Sequence, residues 1–277
     1  MKEFFRSKQL LPDVYGISSE AVAKYLIVGK HHALLFDTGY GFDDLRRYVE
    51  SLTSLPLYVV SSHGHIDHAG ANFRFDECYM HPADMEVYKR HQSEKFRRVG
   101  WHSLHSIQKL IPFWHIMIPK GYTEADYLGN PVCDSFRPAT EGMIFDLGGV
   151  TLRVAEIPGH TLGSIGLYCP EKRLFFSGDG MNGGTWMFLP ESAKLSVYAD
   201  SIRKVMALDF DYLLTGHSTK LESKSVLEDY LDVAEHLDFE HGKVQKENPF
   251  TPGVVYKLCH STNTANKASL CISADKL

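Results

Sequence analysis

The sequence predicts an α/β fold in which two packed β-layers carry helices on their outer faces. Three observations predict it. Segments read in the order strands, helix, strands, helix, as expected of two sheets packed together beneath outer helices. Apolar runs repeatedly end in a glycine-containing turn with a single His or Asp at its tip. The 277 residues are enough for one layered core.

In chain order, residues 25–28 and 33–37 read as buried strands joined in a hairpin through Gly29-Lys30-His31-His32. Residues 42–52 place leucines on one side and charges on the other, a helical pattern. Leu57–Val60 and Cys78–Met80 are short apolar strands, and a helix starts near Pro82 and runs through Lys89. Strands follow at 151–157, 165–169 and 173–177, the last two linked by Pro170-Glu171-Lys172. Residues 195–208 and 223–237 are the late helices, flanking a strand at 212–214. Strands at 254–258 and 269–273 close the fold around the polar turn 261–266.

Composition bounds the function. Hydrophobic residues are 44% and charged residues 23% of the chain, ordinary for a globular protein. A net charge of −5 gives no electrostatic footprint for nucleic acid or an anionic membrane, and the acidic stretch 228–240 reads as a solvated helix face. No run approaches the ~18–20 apolar residues of a membrane span, and no leader pattern follows Met1. The five cysteines are scattered, form no CxxC and fall on no loop tip, so reduced thiols and a cytoplasmic location are expected. The expected partner is a small-molecule substrate.

The chemistry is concentrated in His63-Gly64-His65-Ile66-Asp67-His68, which follows the Leu57–Val60 strand. Imidazole and carboxylate donors suit zinc, iron or manganese, and the lack of cysteine disfavours a closed structural zinc knot. One metal cannot use every donor of so dense a loop; two can. Matching tips recur downstream: His160 after Ile157-Pro158-Gly159, Asp179 after Phe175-Phe176-Ser177-Gly178, and His217 after Leu213-Leu214-Thr215-Gly216. Four strand ends converging on one sheet edge bring all seven donors together. No G-x-S-x-G elbow offers a serine nucleophile instead; Leu162-Gly163-Ser164-Ile165-Gly166 lacks the residue order.

In these motifs the chain resembles the metallo-β-lactamase superfamily: an Asp after an early strand (Asp37 in Leu35-Phe36-Asp37-Thr38-Gly39), then HxHxDH, then His160, Asp179 and His217, in order from about residue 20 to 220. The resemblance implies a single domain over residues 1–277, a four-layer αβ/βα sandwich of two mixed β-sheets with outer helices. It implies one metal on His63, His65 and His160, a second on Asp67, His68 and His217, and Asp179 bridging both. The metals would be two divalent ions, zinc first, with iron or manganese as the other options. Asp37 would anchor the loop behind the ligands, although a strand-end Asx turn before Gly39 explains it equally. Ser62, Thr161 and Ser218 are adjacent enough to orient the imidazoles.

The implied activity is hydrolysis of an ester, lactone, thioester or phosphodiester by a hydroxide bridged between two metals, with Asp67 as the catalytic residue that orients the nucleophile and takes its proton. The alternative is a mononuclear iron dioxygenase on the same fold. A β-lactamase is disfavoured because Asp179 stands where the best-known zinc β-lactamases carry Cys. Their Cys-x-x-Lys reads Asp179-Gly180-Met181-Asn182 here. A non-catalytic binding protein would be expected to show eroded ligands, and all seven are present.

Residues 91–149 do not fit a minimal version of this fold. They carry Trp101, Trp114 and several Phe and Tyr residues, too aromatic for disorder. They form a lid or insertion over the cleft, a satellite core or a dimer contact. His102, His105 and His115 are expected as hydrogen-bonded side chains rather than a third metal site. Candidate substrate contacts are Trp101, Trp114, Asn182 and Trp186, the last in a stretch, 185–188, for which core packing competes equally.

Overall fold

The computed structural model describes residues 4–110, 118–245 and 248–277. Seven strands build the first sheet in sequential order: β1 (Arg6–Leu11), β2 (Val14–Ser19), β3 (Val22–Val28), β4 (Ala33–Phe36), β5 (Leu57–Val60), β6 (Cys78–Met80) and β7 (Phe136–Pro138). Pairing is antiparallel from β1 to β4 and parallel from β4 to β7. The second sheet begins with β8 (Ile144–Asp146), β9 (Thr151–Glu156), β10 (Ile165–Cys169) and β11 (Leu174–Gly178). The chain then leaves it for β12 (Gly184–Met187) and returns with β13 (Tyr212–Thr215) and β14 (Ser218–Ser223), giving the order β14-β13-β11-β10-β9-β8.

Period-two alternation explains the layers. In β4, Leu34 and Phe36 face the second sheet and pack with Val154, Leu167, Phe176 and Leu214, while Ala33 and Leu35 face outward. Helices α1 (Leu45–Glu50), α2 (Ile66–Ala69) and α3 (Met85–His91) follow strands of the first sheet, and Leu45, Val49 and Tyr88 cover its outer face. After α4 (Glu94–Leu110) and α5 (Glu124–Leu128), α6 (Leu195–Met206) and α7 (Val226–Glu235) cover the second sheet. The expected αβ/βα sandwich of mixed sheets is therefore present. None of the described helices is long and apolar enough to cross a membrane.

Several elements differ from expectation. A third sheet, in the order β12-β17-β16-β15, joins β12 to β15 (Lys243–Val244), β16 (Lys257–His260) and β17 (Ser269–Ile272). The strand expected at 254–258 is β16, shifted toward the C-terminus, because Pro252-Gly253 holds the preceding residues in a turn. The helix expected at 42–52 starts only at Leu45, where the Asp44 carboxylate accepts the Arg47 N–H. The other two late helices are also shorter than expected at both or one of their ends. Within 91–149, α4 and α5 are the helices of the described insertion, whereas β7 and β8 are edge strands of the two main sheets.

Candidate metal centre

The parallel pairs β4–β5 and β11–β13 run in register, Phe36 opposite Val60 and Gly178 opposite Thr215, so their C-terminal ends open on one edge. Asp37 follows β4, His63 and His65 follow β5, and α2 turns Asp67 and His68 back toward them. His160, Asp179 and His217 follow β9, β11 and β13. Space around them is tight. A Cβ on Gly64 would lie 2.7 Å from the Tyr88 amide, and one on Gly216 would lie 2.3 Å from Asp179 Oδ1.

The seven donors fall into two groups, His63/His65/His160 and Asp67/His68/Asp179/His217. Each of the five imidazoles has one nitrogen bound to an acceptor behind it. His63 Nδ1 meets Ser62 Oγ (2.9 Å), His65 Nε2 meets Glu191 Oε1 (2.8 Å), and His68 Nδ1 meets Asp37 Oδ2 (2.8 Å). His160 Nδ1 donates to the Trp186 carbonyl (2.9 Å) and His217 Nδ1 to the Ala21 carbonyl (2.8 Å). These contacts assign a proton to each outer nitrogen, so that His63, His65 and His160 turn lone pairs inward while the inner nitrogens of His68 and His217 face the Asp67 and Asp179 carboxylates.

The donors fit cations. His63 Nε2 and His160 Nε2 each lie 3.0 Å from His65 Nδ1, three lone pairs with no proton to share. His68 Nε2 and Asp179 Oδ1 are buried with no hydrogen-bond partner. Asp179 Oδ2 lies 3.0 Å from His217 Nε2, 3.4 Å from His68 Nε2 and 3.9 Å from His160 Nε2, so one carboxylate reaches both groups. Asp67 Oδ2 is 3.5 Å from His68 Nε2 and 3.8 Å from His217 Nε2.

Electrostatics separates the groups. Burial, reinforced by neighbouring imidazoles, pushes His63 well below the ordinary histidine range and His65 down to about 3. Both are neutral donors. In the second group burial opposes charge, but the Asp179 carboxylate outweighs it, raising His217 to about 9 and His68 well above its ordinary value. Burial likewise opposes the Asp67 and Asp179 carboxylates, yet the adjacent His68 and His217 hold both well below the usual range.

The backbone beneath the donors is specialised. Asp37 sits at φ 66, a left-handed conformation that Asp tolerates better than most residues. It also accepts from the Ser62 N–H (2.7 Å) and hydroxyl (2.9 Å). Asp37 thus joins Ser62 to His68, and Ser62 Oγ in turn lies against His63 Nδ1. Thr161 instead donates to Asp84 Oδ2 (2.8 Å), and Ser218 contributes its carbonyl to Tyr25 rather than touching an imidazole. Buried Asp84 accepts the Gly64 and Gly163 N–H groups (both 2.8 Å), tying the HxHxDH loop to the His160 loop.

Residues 21–217 match the family described as the metallo-beta-lactamase superfamily. The chain belongs to that superfamily. It is 29% identical over 222 residues to the acyl-coenzyme A thioesterase MBLAC2 of Gallus gallus, covering 74% of this chain and 76% of that one. It is 26% identical over 195 residues to the hydroxyacylglutathione hydrolase GloC of Haemophilus influenzae, covering 68% and 81%. Among solved structures, a metallo-beta-lactamase from Pontibacter korlensis shares the fold with a TM-score of 0.58 at 15% identity, covering 83% of this chain and 99% of that one.

On this metallo-β-lactamase frame the two donor groups open into a cleft of about 990 Å³. Asn182 and Trp186 are among the residues that line it. Trp101 does not: it is buried with Phe42, Ile66, Leu104 and Tyr127, because the apolar face of α4 packs onto α5 and the Phe42 loop. Trp114 and His115 lie outside the described residues. His102 and His105 join none of the donor groups found among the described residues.

A third group, His65/His91/Glu191, was not legible in the sequence. His91 Nδ1 accepts the Ile66 N–H (3.4 Å), which leaves its other nitrogen as a donor 3.6 Å from Glu191 Oε1. Arg90 holds Glu191 Oε2 at 2.6 Å. Burial works against the Glu191 carboxylate, but these donors keep its pKa far below the usual range. The group is a hydrogen-bonded node that fixes His65. Glu191→Gln, which keeps the size and removes the charge, is expected to weaken metal binding at the three-histidine group about ten- to hundredfold. Chelator competition measures it, and unchanged affinity would mean that packing alone holds His65.

Proposed function

We propose that this protein is a binuclear metal-dependent hydrolase that cleaves acyl thioesters. The observation that carries the reading is the position of Asp179, within reach of both donor groups and lining a largely apolar cleft. His63, His65 and His160 would hold one divalent ion, and Asp67, His68 and His217 the other, with Asp179 between them. Such ions, zinc first, supply Lewis acidity toward a carbonyl oxygen and a water whose pKa falls toward ~7.

The chain's own groups do the rest. The outward hydrogen bonds of the five imidazoles hold their lone pairs in place without further reorganisation. Asp67 is oriented beside Asp179 by His68 and His217, where it aligns the attacking water and takes its proton. Asn182 and Trp186 border the cleft beside Asp179 and His160 and position the substrate. Thioesters are favoured over other acyl compounds because relatives of this chain include thioesterases acting on acyl-coenzyme A and on an acyl carrier protein.

Elemental analysis of protein purified without chelator, with a panel of thioester, lactone, phosphodiester and nitrocefin, tests this. About two metals per chain with thioester turnover is the expected result. A single iron with oxygen consumption and no hydrolysis would overturn it, and turnover of another panel member alone would move the substrate class.

A further inference from the structure

We infer that residues 248–254, presented by the third sheet, form the wall that selects the acyl chain by length; the inference rests on the thioester reading above. These residues lie between β15 and β16, remote in sequence from every metal donor, yet Pro249, Phe250, Pro252 and Val254 line the same cleft. Phe96 and Leu104 of α4 line it as well.

The loop is fastened at both ends to groups that touch the donors. On one side the Phe250 ring lies parallel to His91 (centroids 6.4 Å apart, 4° between planes) and 6.1 Å from Phe96. His91 in turn stacks on His65 at 4.4 Å. On the other side Tyr256 stacks flat on Phe188 at 3.8 Å, and Phe188 packs on Trp186, whose carbonyl accepts from His160. Between them the loop is shaped by its own bonds: Asn248 Oδ1 accepts the Phe250 N–H (2.9 Å), and the Thr251 N–H donates to the Asn248 carbonyl (3.0 Å).

The wall offers little to a charged occupant. Arg90 is the one Lys or Arg among the described lining residues, and its guanidinium is committed to Glu191 at 2.6 Å. Away from the donors, a phosphate-bearing thiol carrier therefore finds no free lysine or arginine among the described lining residues, whereas a flexible aliphatic chain finds Phe96, Leu104, Phe250 and Val254. The acyl chain enters, and the carrier stays at the mouth.

Rates measured on one carrier with acyl chains from two to sixteen carbons test this. For the wild type KM should fall by up to about fourfold per added methylene until the wall is filled. In Phe250→Ala, and separately in Val254→Asp, the kcat/KM ratio between twelve- and two-carbon substrates should drop roughly ten- to hundredfold. Val254→Asp is the control for disturbance through His91. An equal loss at every chain length in both variants would overturn the inference. Calorimetric titration with free fatty acids separates it from the activity. If no thioester is cleaved, tighter binding of longer acids that the variants abolish sustains the wall and sinks the thioester reading. Length-independent binding and turnover sink the wall alone.

Discussion

Asp179→Ala is expected to lower kcat/KM for hydrolysis about a thousandfold, ~4 kcal/mol of transition-state stabilisation, and to leave the protein with a single tightly bound metal. The reason is geometric. One oxygen of Asp179 lies 3.0 Å from His217, 3.4 Å from His68 and 3.9 Å from His160. Removing it takes the shared anion from both groups at once. The three-histidine group retains all its donors and the contacts behind them, so it should still load. The mixed group keeps Asp67, His68 and His217 but loses the charge that most offsets burial of the two imidazoles. Metal-to-protein ratios and steady-state kinetics on the same preparation check both halves. A variant that holds two metals and turns over at the wild-type rate would end the bridging role.

Asp37→Ala should cost about 3–5 kcal/mol of stability without touching any proposed metal. Its carboxylate is buried and accepts from the Ser62 N–H, the Ser62 hydroxyl and His68 Nδ1. Truncation strands buried donors and leaves the His68 imidazole without its rear anion, a loss typical of breaking a buried polar cluster. Alanine is also a poorer occupant of φ 66. For a chain of this size the melting temperature should fall by about 10 °C. Asp37→Asn keeps the left-handed preference and one acceptor, and should fall less. Thermal unfolding of both variants after chelation checks the ranking, and a shift of under ~2 °C for Asp37→Ala would show that the anchor is dispensable.

How much of this could be read from residues alone follows a physical divide. The donors were legible because five of the seven sit in glycine-containing turns just after strands, with Asp67 and His68 on the helix that follows, and the strand ends gather on one edge. The contacts behind them were not. Trp186 and Ala21 serve through carbonyl oxygens, which every residue has, and Glu191 and Asp84 sit in stretches with no periodic or motif signal. Polar edge strands such as β1, Arg-Ser-Lys-Gln-Leu-Leu, bury little and carry no alternation to read. The long helix α4 was hidden by Gly100 and by histidines that interrupt its apolar stripe of Phe96, Trp101 and Leu104. Trp101 was the misleading residue, since an aromatic in an insertion serves a satellite core as readily as a pocket.

The place of β17 in the third sheet bears on how the molecule is made. β12 carries the carbonyl that fixes His160, and its sheet partner is β17, which also pairs with β16. Synthesis runs from the N-terminus, so the ribosome delivers HxHxDH, His160, Asp179 and His217 well before it delivers the strand that steadies β12. The nascent chain thus carries its full donor set while the strand that holds the His160 brace is still without its sheet partner. A frameshift in Ser269–Ile272 would leave a protein whose seven donors are all present while β12 has lost its sheet partner.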